Sequence, residues 1–406
     1  MGETRRSERP PSVVVALGVV SLLMDVSSEM IHGTLPLFLT TVLGAGALSV
    51  GLIEGVAEAT ASIVKVFAGA ASDRLHRRKP LVALGYGLSA LTKPLFPLAT
   101  SVWLVFGARF ADRVGKGIRG APRDAMVADA TVDGARGAAY GLRQALDTVG
   151  AFLGPALALV VMAASGDDFR LVFSIAVVPA VASVAVLVLA VREPAITHPG
   201  RGTSSGRGPI RAADIRGLEA RYWLVVAFAT AVTLARFSEA FLLLRAETVG
   251  LERAYAPLVL IVMNASYAAT AYPLGRLSDR RRRSVLAGGV AVLVGSDLAL
   301  AFGDRVPWVL AGSALWGVHM GATQGLLSAI VADVAPADLR GTAFGLFNLV
   351  TGVALLAASV IAGALWSALG PRWTFVAGAA FCGLALSGLV LIPPSGRRTP
   401  GRASPS

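Results

Sequence analysis

The chain has 406 residues, of which 55% are hydrophobic and only 15% are charged. Apolar stretches of about 20 residues, each enough to cross a bilayer, recur along it, so a water-soluble globular protein is excluded. The net charge of +12 does not indicate a nucleic-acid partner, because the arginines lie in short connections between apolar runs. The single cysteine, Cys382, excludes an internal disulfide and a cysteine-rich metal cage.

The apolar pattern predicts twelve membrane spans and an all-α membrane protein. In chain order the spans lie roughly at 12–40, 47–71, 80–99, 102–125, 137–163, 169–191, 221–245, 254–277, 284–303, 307–330, 341–367 and 372–393. The first span is longer than a bilayer needs, so we expect it to tilt or to kink near Pro36. Pro, Gly, Ser and Arg dominate residues 193–219, which predicts a linker between two six-helix bundles.

The predicted domains are an N-terminal tail at 1–11, a first bundle at 12–192, the linker at 193–219, a second bundle at 220–395 and a tail at 396–406. Lys and Arg are concentrated in the tails, the linker and the connections that follow every second span. This bias predicts that both termini and the linker lie in the cytoplasm and that the protein lies in the inner membrane.

Two phrases of the sequence occur twice at half-length spacing. GAASDRLHRR at 69–78 returns as GRLSDRRRR at 275–283, and VADATVDGARGAAYGL at 127–142 returns as VADVAPADLRGTAFGL at 331–346. The first pair is displaced by 206 residues and the second by 204. The chain therefore contains two copies of one membrane unit, which is typical of transporters.

These repeats resemble the major facilitator superfamily, and the resemblance extends along the whole chain. It implies twelve transmembrane helices in two pseudo-symmetric bundles that line a central cavity. The matching loop residues are Gly69, Asp73, Arg74, Arg77 and Arg78 between helices 2 and 3, and Gly275, Asp279, Arg280, Arg282 and Arg283 between helices 8 and 9. With Asp124 they are expected to form a conformational latch between the bundles. The alternative is a solvated basic loop that only sets topology.

Helix 5 carries a second signature. Gly141, Gly150, Gly154 and Pro155 have the spacing G-x8-G-x3-G-P, which resembles the helix-5 motif of drug/proton antiporters. In that branch a glycine pair commonly follows, whereas this chain continues with Ala156, Leu157 and Ala158. The glycines predict a groove for close packing and the proline predicts a bend. Ordinary small-residue packing is the alternative.

Helix 4 carries an unusual set of charges. Arg109, Asp112, Arg113 and Lys116 are spaced i, i+3, i+4 and i+7, so they share one helical face. The second copy has Ser313, Trp316, Gly317 and Met320 at the positions displaced by 204, so the fold does not require these charges. Because ionisable groups in a bilayer usually mark function, we predict that this face takes part in substrate binding or proton coupling.

The same segment carries two further resemblances. Arg113 with Gly117 resembles the superfamily's helix-4 arginine motif, which implies a part in proton coupling. The longer block through Arg123 and Asp124 resembles a narrower group of bacterial permeases, mostly of unassigned substrate, that includes drug and nickel-resistance exporters. Arg119 is expected only to anchor the cytoplasmic mouth.

Other ionisable residues fall in spans that line the cavity in the resembled fold. They are Asp25, Glu29 and His32 in helix 1, Glu54 and Glu58 in helix 2, Arg143 and Asp147 in helix 5, and Arg236 and Glu239 in helix 7. We expect helices 1 and 5 to supply the partners of the helix-4 face. Structural ion pairs, or exposure to solvent for Glu54 and Glu58, are the alternatives. In the second half of the chain we expect intramembrane charges only at Arg236 and Glu239.

The sequence predicts a secondary active transporter that works by alternating access, with proton-coupled efflux of a small charged or amphipathic solute. No P-loop is present, so we expect no direct ATP drive, and we expect no enzyme activity, no cofactor, no resident metal and a monomer. Metal export through Asp25, Glu29 and His32, and an organic-anion permease that uses the basic face of helix 4, remain open. A polytopic membrane enzyme and a non-transporting receptor are the alternatives from other classes.

Overall fold

The computed structural model describes residues 11–75, 78–131, 136–193, 215, 217–336 and 339–388, which are almost entirely helical and contain no β-strand. The predicted tails, apart from Pro11, and most of the predicted linker lie outside these residues. The all-α class is therefore confirmed. By length and composition, eight spans among the described residues can cross a membrane. The helix Lys79–Thr92 has only 14 residues and the helix Val102–Asp129 is rich in charge, so neither is among the eight.

We number the helices in chain order. They are α1 (Ser12–His32), α2 (Ala47–Leu75), α3 (Lys79–Thr92), α4 (Val102–Asp129), α5 (Arg136–Ser165), α6 (Phe169–Ala190), α7 (Ala220–Ala235 and Ala240–Thr248), α8 and α9 (the two parts of Leu258–Phe302), α10 (Val306–Val334), α11 (Arg340–Leu369) and α12 (Pro371–Gly388). The boundary between α8 and α9 is Arg281, whose φ of −137° and ψ of 50° are not helical.

Two spans are interrupted. The first is broken near Pro36, as predicted: α1 ends at His32, and the chain resumes as the turn Leu35–Leu37 and the π-helical turn Phe38–Val42. Pro36 lies at the start of the resumed turn, where a missing N–H is tolerated. The second break, between the two pieces of α7, was not predicted. It leaves Arg236 and Glu239 in the connection within a membrane span.

The helices pack as two equivalent sets. In the first half α1 packs on α5 and α6, and α4 packs on α2 and α3; in the second half α7 packs on α11 and α12, and α10 packs on α8 and α9. Between the halves α2 meets α11 and α5 meets α8. Each of these contacts has its counterpart in the other half, so the interface has the pseudo-two-fold symmetry that the repeats predict.

The two ends of the molecule are packed differently. We call the end at which Ser12, Ala190 and Ala220 lie the linker end, because the predicted linker joins the bundles there. The opposite end carries the connections after Val42 and Ser165. One hydrophobic cluster toward the opposite end includes buried side chains of both bundles. Toward the linker end each bundle has a separate cluster, one around Val14, Val82 and Met126 and the other around Tyr222, Val331 and Ala343. The hydrophobic core therefore joins the bundles at one end and divides at the other.

Backbone contact between α2 and α11 closes the opposite end. A Cβ placed on Gly51 would lie 2.2 Å from the carbonyl oxygen of Ser359, and one on Gly363 would lie 2.7 Å from that of Ala47. Only glycine permits so close an approach of two helices.

Candidate functional site

A cavity of about 390 Å³ lies between the bundles, on the linker-end side of this contact. Its lining includes Asp25, Glu29, Glu58, Lys65, Lys116, Arg119, Arg123, Gln144, Asp147, Asn264, Tyr267 and Met320. All of its charged residues come from α1, α2, α4 and α5. Among the described residues, the second bundle contributes uncharged side chains alone, from α8 and α10. One wall of the cavity is therefore charged and the other is neutral.

The innermost group of the charged wall is a buried ion pair. Arg109 donates from Nε to Glu54 Oε1 at 3.2 Å and from Nη2 to Glu54 Oε2 at 2.8 Å. Both side chains are 1% exposed. His32 Nδ1 lies 2.9 Å from Arg109 Nη2 and 3.6 Å from Glu54. The bidentate geometry, with a third side chain beside it, is how a protein holds an arginine away from water.

A second buried pair involves a lysine that the sequence analysis did not single out. Lys93, in the turn after α3, donates to Asp112 Oδ1 at 3.0 Å and to Ser28 Oγ at 3.0 Å. Both members of the pair are almost fully buried. The signal was present in the sequence, because Lys93 is an ionisable residue inside the predicted span 80–99.

The third pair reaches the cavity. Arg113 Nη2 lies 3.1 Å from Glu58 Oε1, and the Glu58 side chain is 32% exposed to the cavity. The expected partner helices were wrong: α2 pairs with Arg109 and Arg113, and the turn after α3 pairs with Asp112. No described acid of α1 or α5 lies within 4.0 Å of the charged groups of this α4 face, and its fourth member, Lys116, stays unpaired. The alternative of solvent exposure does not hold for Glu54, since Arg109 holds that carboxylate in the interior. Helical spacing predicts which residues share a face, but not which neighbour that face meets.

Five charged cavity side chains have no partner of opposite charge within 4.0 Å among the described residues. They are the carboxylates Asp25 and Glu29 on α1, the ammonium groups Lys65 and Lys116 on α2 and α4, and the guanidinium of Arg119 on α4. Lys65 lies along Gly120 of α4, so the two lysines belong to one wall. The charged wall of the cavity therefore presents free acids from α1 and free bases from α2 and α4.

Two glycines of the helix-5 signature account for the position of the free acids. A Cβ on Gly150 would lie 2.9 Å from Cβ of Asp25, and one on Gly154 would lie 2.6 Å from Cβ of Glu29. The predicted packing groove is thus present at these two positions, and α1 occupies it. A Cβ on Gly141 would meet nothing within 4 Å. Pro155 lies inside the continuous helix α5, and the predicted bend stays a prediction.

Toward the linker end, α4 and α5 share a charge network. Arg143 Nη1 lies 2.8 Å from Asp124 Oδ1 and 3.6 Å from Asp147, and Arg123 lies 3.9 Å from Asp147. Asp124 therefore pairs within its own bundle. The expectation for Arg119 was wrong: it is buried, donates to Ser89 at 2.5 Å and stacks over Tyr86, so it does not simply anchor the mouth.

The loop motifs form equivalent ion pairs in the two bundles. Arg78 Nη1 lies 2.9 Å from Asp129, and Arg282 pairs with Asp333 at the positions displaced by 204. Gly69 packs near Ala121 of α4, whereas a Cβ on Gly275 would meet nothing within 4 Å. Arg280 is exposed. Arg77 lies outside the described residues, and only the backbone is described for Asp73, Arg74 and Asp279. The latch stays a prediction.

In the second bundle, Glu239 lies 3.9 Å from His32 Nε2 and so connects the break in α7 to the first bundle. Arg236 precedes it in the same break. The expectation that intramembrane charge in this half is limited to these two residues was wrong. Asp297 of α9 is fully buried, and an acid inside the predicted span 284–303 was visible in the sequence.

Among the residues that the structure describes, no group of three or more His, Cys, Asp and Glu side chains is placed to hold a metal ion. His32 contacts Arg109 and Glu54, so it does not join Asp25 and Glu29 in a ligand set. The geometry thus gives no support to a metal site on α1.

Known proteins resemble the chain over nearly its whole length. A sequence profile of the Major Facilitator Superfamily matches residues 17–263 and 240–405. An uncharacterized transporter of this type from Methanocaldococcus jannaschii is 35% identical over 93% of this chain and 94% of its own length. The gentisate transporter of Corynebacterium glutamicum is 28% identical, with 82% and 76% covered. The multidrug resistance protein MdtH of Yersinia pestis is 28% identical over 59% of this chain and 57% of its own.

Among solved structures, a point mutant of the nucleoside transporter NupG superposes with a TM-score of 0.80. The match covers 94% of this chain and 99% of that chain at 12% identity, so the likeness concerns the fold alone. Members of this family carry small molecules across membranes. The profile match, the sequence identity to relatives over nearly the whole chain and the shared fold agree. The chain is a multi-pass membrane protein of the major facilitator superfamily.

Proposed function

We propose that the protein is a secondary active transporter that works by alternating access and couples proton movement to efflux of a small charged or amphipathic solute. The observation that carries the proposal is the cavity between the bundles, with free acids and free bases on one wall and neutral side chains on the other. Charged groups in a membrane interior are costly unless they are paired or meet water and ligand, which is why we assign the unpaired ones to solute and proton.

The packing of the two ends supports an inward-facing state. The bundles share one hydrophobic core and a glycine-mediated backbone contact at the opposite end, and their cores are separate at the linker end. With the Lys/Arg bias placing the termini and linker in the cytoplasm of an inner-membrane protein, the cavity opens to the cytoplasm. Rocking of the bundles then separates α2 from α11 and closes the linker end.

We assign the solute to the space between α1 and α4. Lys116, assisted by Lys65, receives an anionic group, and Asp25 and Glu29 receive a cationic group or a proton. A volume of about 390 Å³ lies within the range that proteins use for small organic ligands. Tyr267, Asn264 and Met320 contact the uncharged part of the solute. Arg109, Asp112 and Arg113 are neutralised by their partners, and we assign them to positioning the wall.

Proton coupling is assigned to Asp25 and Glu29, with Asp147 as a further acceptor. Both α1 carboxylates face the cavity without a cationic partner within 4.0 Å, and both lie against the glycines of α5. Any movement of α1 relative to α5 therefore changes their surroundings. His32, between Glu54 and Glu239, lies where the two bundles meet and senses the same movement.

Efflux is favoured by the helix-5 signature and by the similarity to a protein named for multidrug resistance. The test begins with a growth screen of a strain that expresses the chain and one that lacks it, against antibiotics, metal salts and organic acids. A solute found in this way is then loaded into proteoliposomes, and its flux is measured with and without a proton gradient. We expect flux that collapses with the gradient. Binding without flux would identify a receptor, and flux indifferent to the gradient would overturn the coupling.

An organic-anion permease is the second candidate. It is favoured by the unpaired Lys65 and Lys116 and by the similarity to a gentisate transporter. Gentisate itself is therefore the first probe in the flux assay. Uptake driven by an inward proton gradient, lost in Lys116→Gln, would establish this candidate in place of efflux.

A further inference from the structure

The second bundle contains an acid that the transport cycle proposed above does not use. Asp297 of α9 is 0% exposed, and neither of its carboxylate oxygens has a hydrogen-bond partner among the described residues. No described cation lies within 4.0 Å of it either. A charge without a partner or water is too costly in such a place, so the geometry is that of a neutral, proton-carrying carboxyl.

A small gap at Gly378, which we call the notch, determines which acceptor the proton of Asp297 can reach. Gly378 of α12 has no side chain, and a Cβ placed there would lie 2.7 Å from Asp297 Oδ2 and 3.2 Å from the carbonyl oxygen of Ala235. The two oxygens thus face the same small gap and are at most about 6 Å apart. Ala235 ends the first piece of α7, where carbonyls lack partners in the helix. A rotation of the Asp297 side chain would bring its carboxyl group toward that carbonyl oxygen.

The carbonyl belongs to the break in α7, and the break leads to the interface between the bundles. Arg236 follows Ala235, and Glu239 at the end of the break lies 3.9 Å from His32 of the first bundle. A protonated Asp297 carboxyl group can donate a hydrogen bond to the free carbonyl of Ala235 and so hold the end of the first piece of α7. An ionised carboxylate instead repels that carbonyl oxygen. The charge on Asp297 thus acts on the segment that carries Glu239.

We propose that Asp297, Gly378 and the carbonyl of Ala235 form a proton-binding site inside the second bundle, and that the bound proton fixes the break in α7. Among the described residues, the other titratable or charged groups near this site are the Cys382 thiol, one helical turn after Gly378 on α12, and Arg236, which follows Ala235. Opening of the break admits water, which takes up the released proton.

The test uses the full-length protein in detergent and needs no solute. Infrared spectra of protein labelled with carboxyl-¹³C aspartate are recorded at neutral pH, where ordinary aspartates are ionised. We expect a carbonyl band of a protonated acid that is lost in Asp297→Asn and kept in Asp25→Asn. It is also kept in Asp304→Asn, which changes an exposed aspartate in the loop after α9. Absence of the band, or its survival in Asp297→Asn, overturns the proposal.

A second variant and a second readout test the hydrogen bond and the break. In Gly378→Ala a methyl group separates the carboxyl from Ala235, so the band should remain but shift to higher frequency. The alkylation rate of Cys382, the single cysteine, reports opening of the notch and should rise more steeply with pH in the wild type than in Asp297→Asn. An unshifted band in Gly378→Ala, or equal alkylation profiles, contradicts the proposal. These results do not depend on flux, so the transport proposal is tested separately.

Discussion

The buried pair of Arg109 and Glu54 allows a sharp prediction about stability. Replacing one partner, as in Glu54→Leu or Arg109→Met, leaves the other charge in a position that is 1% exposed. Such a change costs about 3–5 kcal/mol, because the remaining charge loses two hydrogen bonds and cannot reach water. Replacing both partners by apolar residues of similar size removes the uncompensated charge. The double variant should therefore be more stable than either single variant.

The second copy of the repeat supports this expectation, because α10 is built with Ser313 at the position of Arg109 and packs without these charges. The assay is thermal unfolding in detergent with a thiol-reactive dye, since the single cysteine, Cys382, is fully buried until the protein unfolds. The matched control is the exposed pair of Arg253 and Glu247, with side chains 49% and 27% exposed. Glu247→Gln should cost at most about 1 kcal/mol.

Single variants that unfold at the wild-type temperature, or a double variant that is the least stable of the three, would contradict this prediction. Either result would mean that the pair is not held as a desolvated unit. Transport gives an independent readout. The double variant should remain folded but should transport more slowly, because the wall that carries Lys116 loses its fixed position.

Three further predictions follow from backbone contacts and surface pairs. Gly51→Val should keep α2 from closing on α11 and so favour the outward-open state. The readout is faster labelling, by an impermeant reagent added outside, of a cysteine introduced at Ser62. The control is Gly46→Val, because a Cβ at Gly46 meets nothing within 4 Å, and equal labelling of the two variants would contradict the closure. Gly154→Ala should destabilise the protein by about 1–3 kcal/mol by pressing on α1, whereas Gly141→Ala should have little effect, and equal unfolding temperatures would exclude the proposed packing. Asp129→Asn should cost more stability than Asp333→Asn, and each change should cost at most about 1 kcal/mol. The side chains of Arg78 and Asp129 are 16% and 21% exposed, whereas those of Arg282 and Asp333 are 33% and 53% exposed. The reverse order of unfolding temperatures would be inconsistent with the structure.

The fold could be predicted from the sequence because two patterns extend along the whole chain, the apolar runs and the internal repeats. Apolar runs set the spans, and the repeats at 69–78 and 275–283 set the symmetry. The resemblance to a known superfamily then supplied the arrangement of helices around a cavity. The break in α7 gave no such signal, since Ala235 to Ala240 contains neither proline nor glycine.

The site was predicted only in part. Spacing showed that Arg109, Asp112 and Arg113 share a face, yet their partners Glu54, Lys93 and Glu58 depend on how α4 is rotated against α2 and α3. That rotation is set by close contacts such as Gly117 against Val64, which are tertiary. Lys93 and Asp297 were visible as charges in apolar runs. The sequence did not show that Lys93 is paired with Asp112, or that Asp297 has no partner among the described residues.

In the proposed mechanism the free carboxylates of α1 couple a proton to movement of the solute. The direct measurement is proton-gradient-driven flux in proteoliposomes for the wild type, Asp25→Asn and Glu29→Gln, with solute exchange in the absence of a gradient as the control for folding and binding. We expect gradient-driven flux to be lost in at least one of the two variants while exchange is retained. Full gradient-driven flux in both variants would contradict the account.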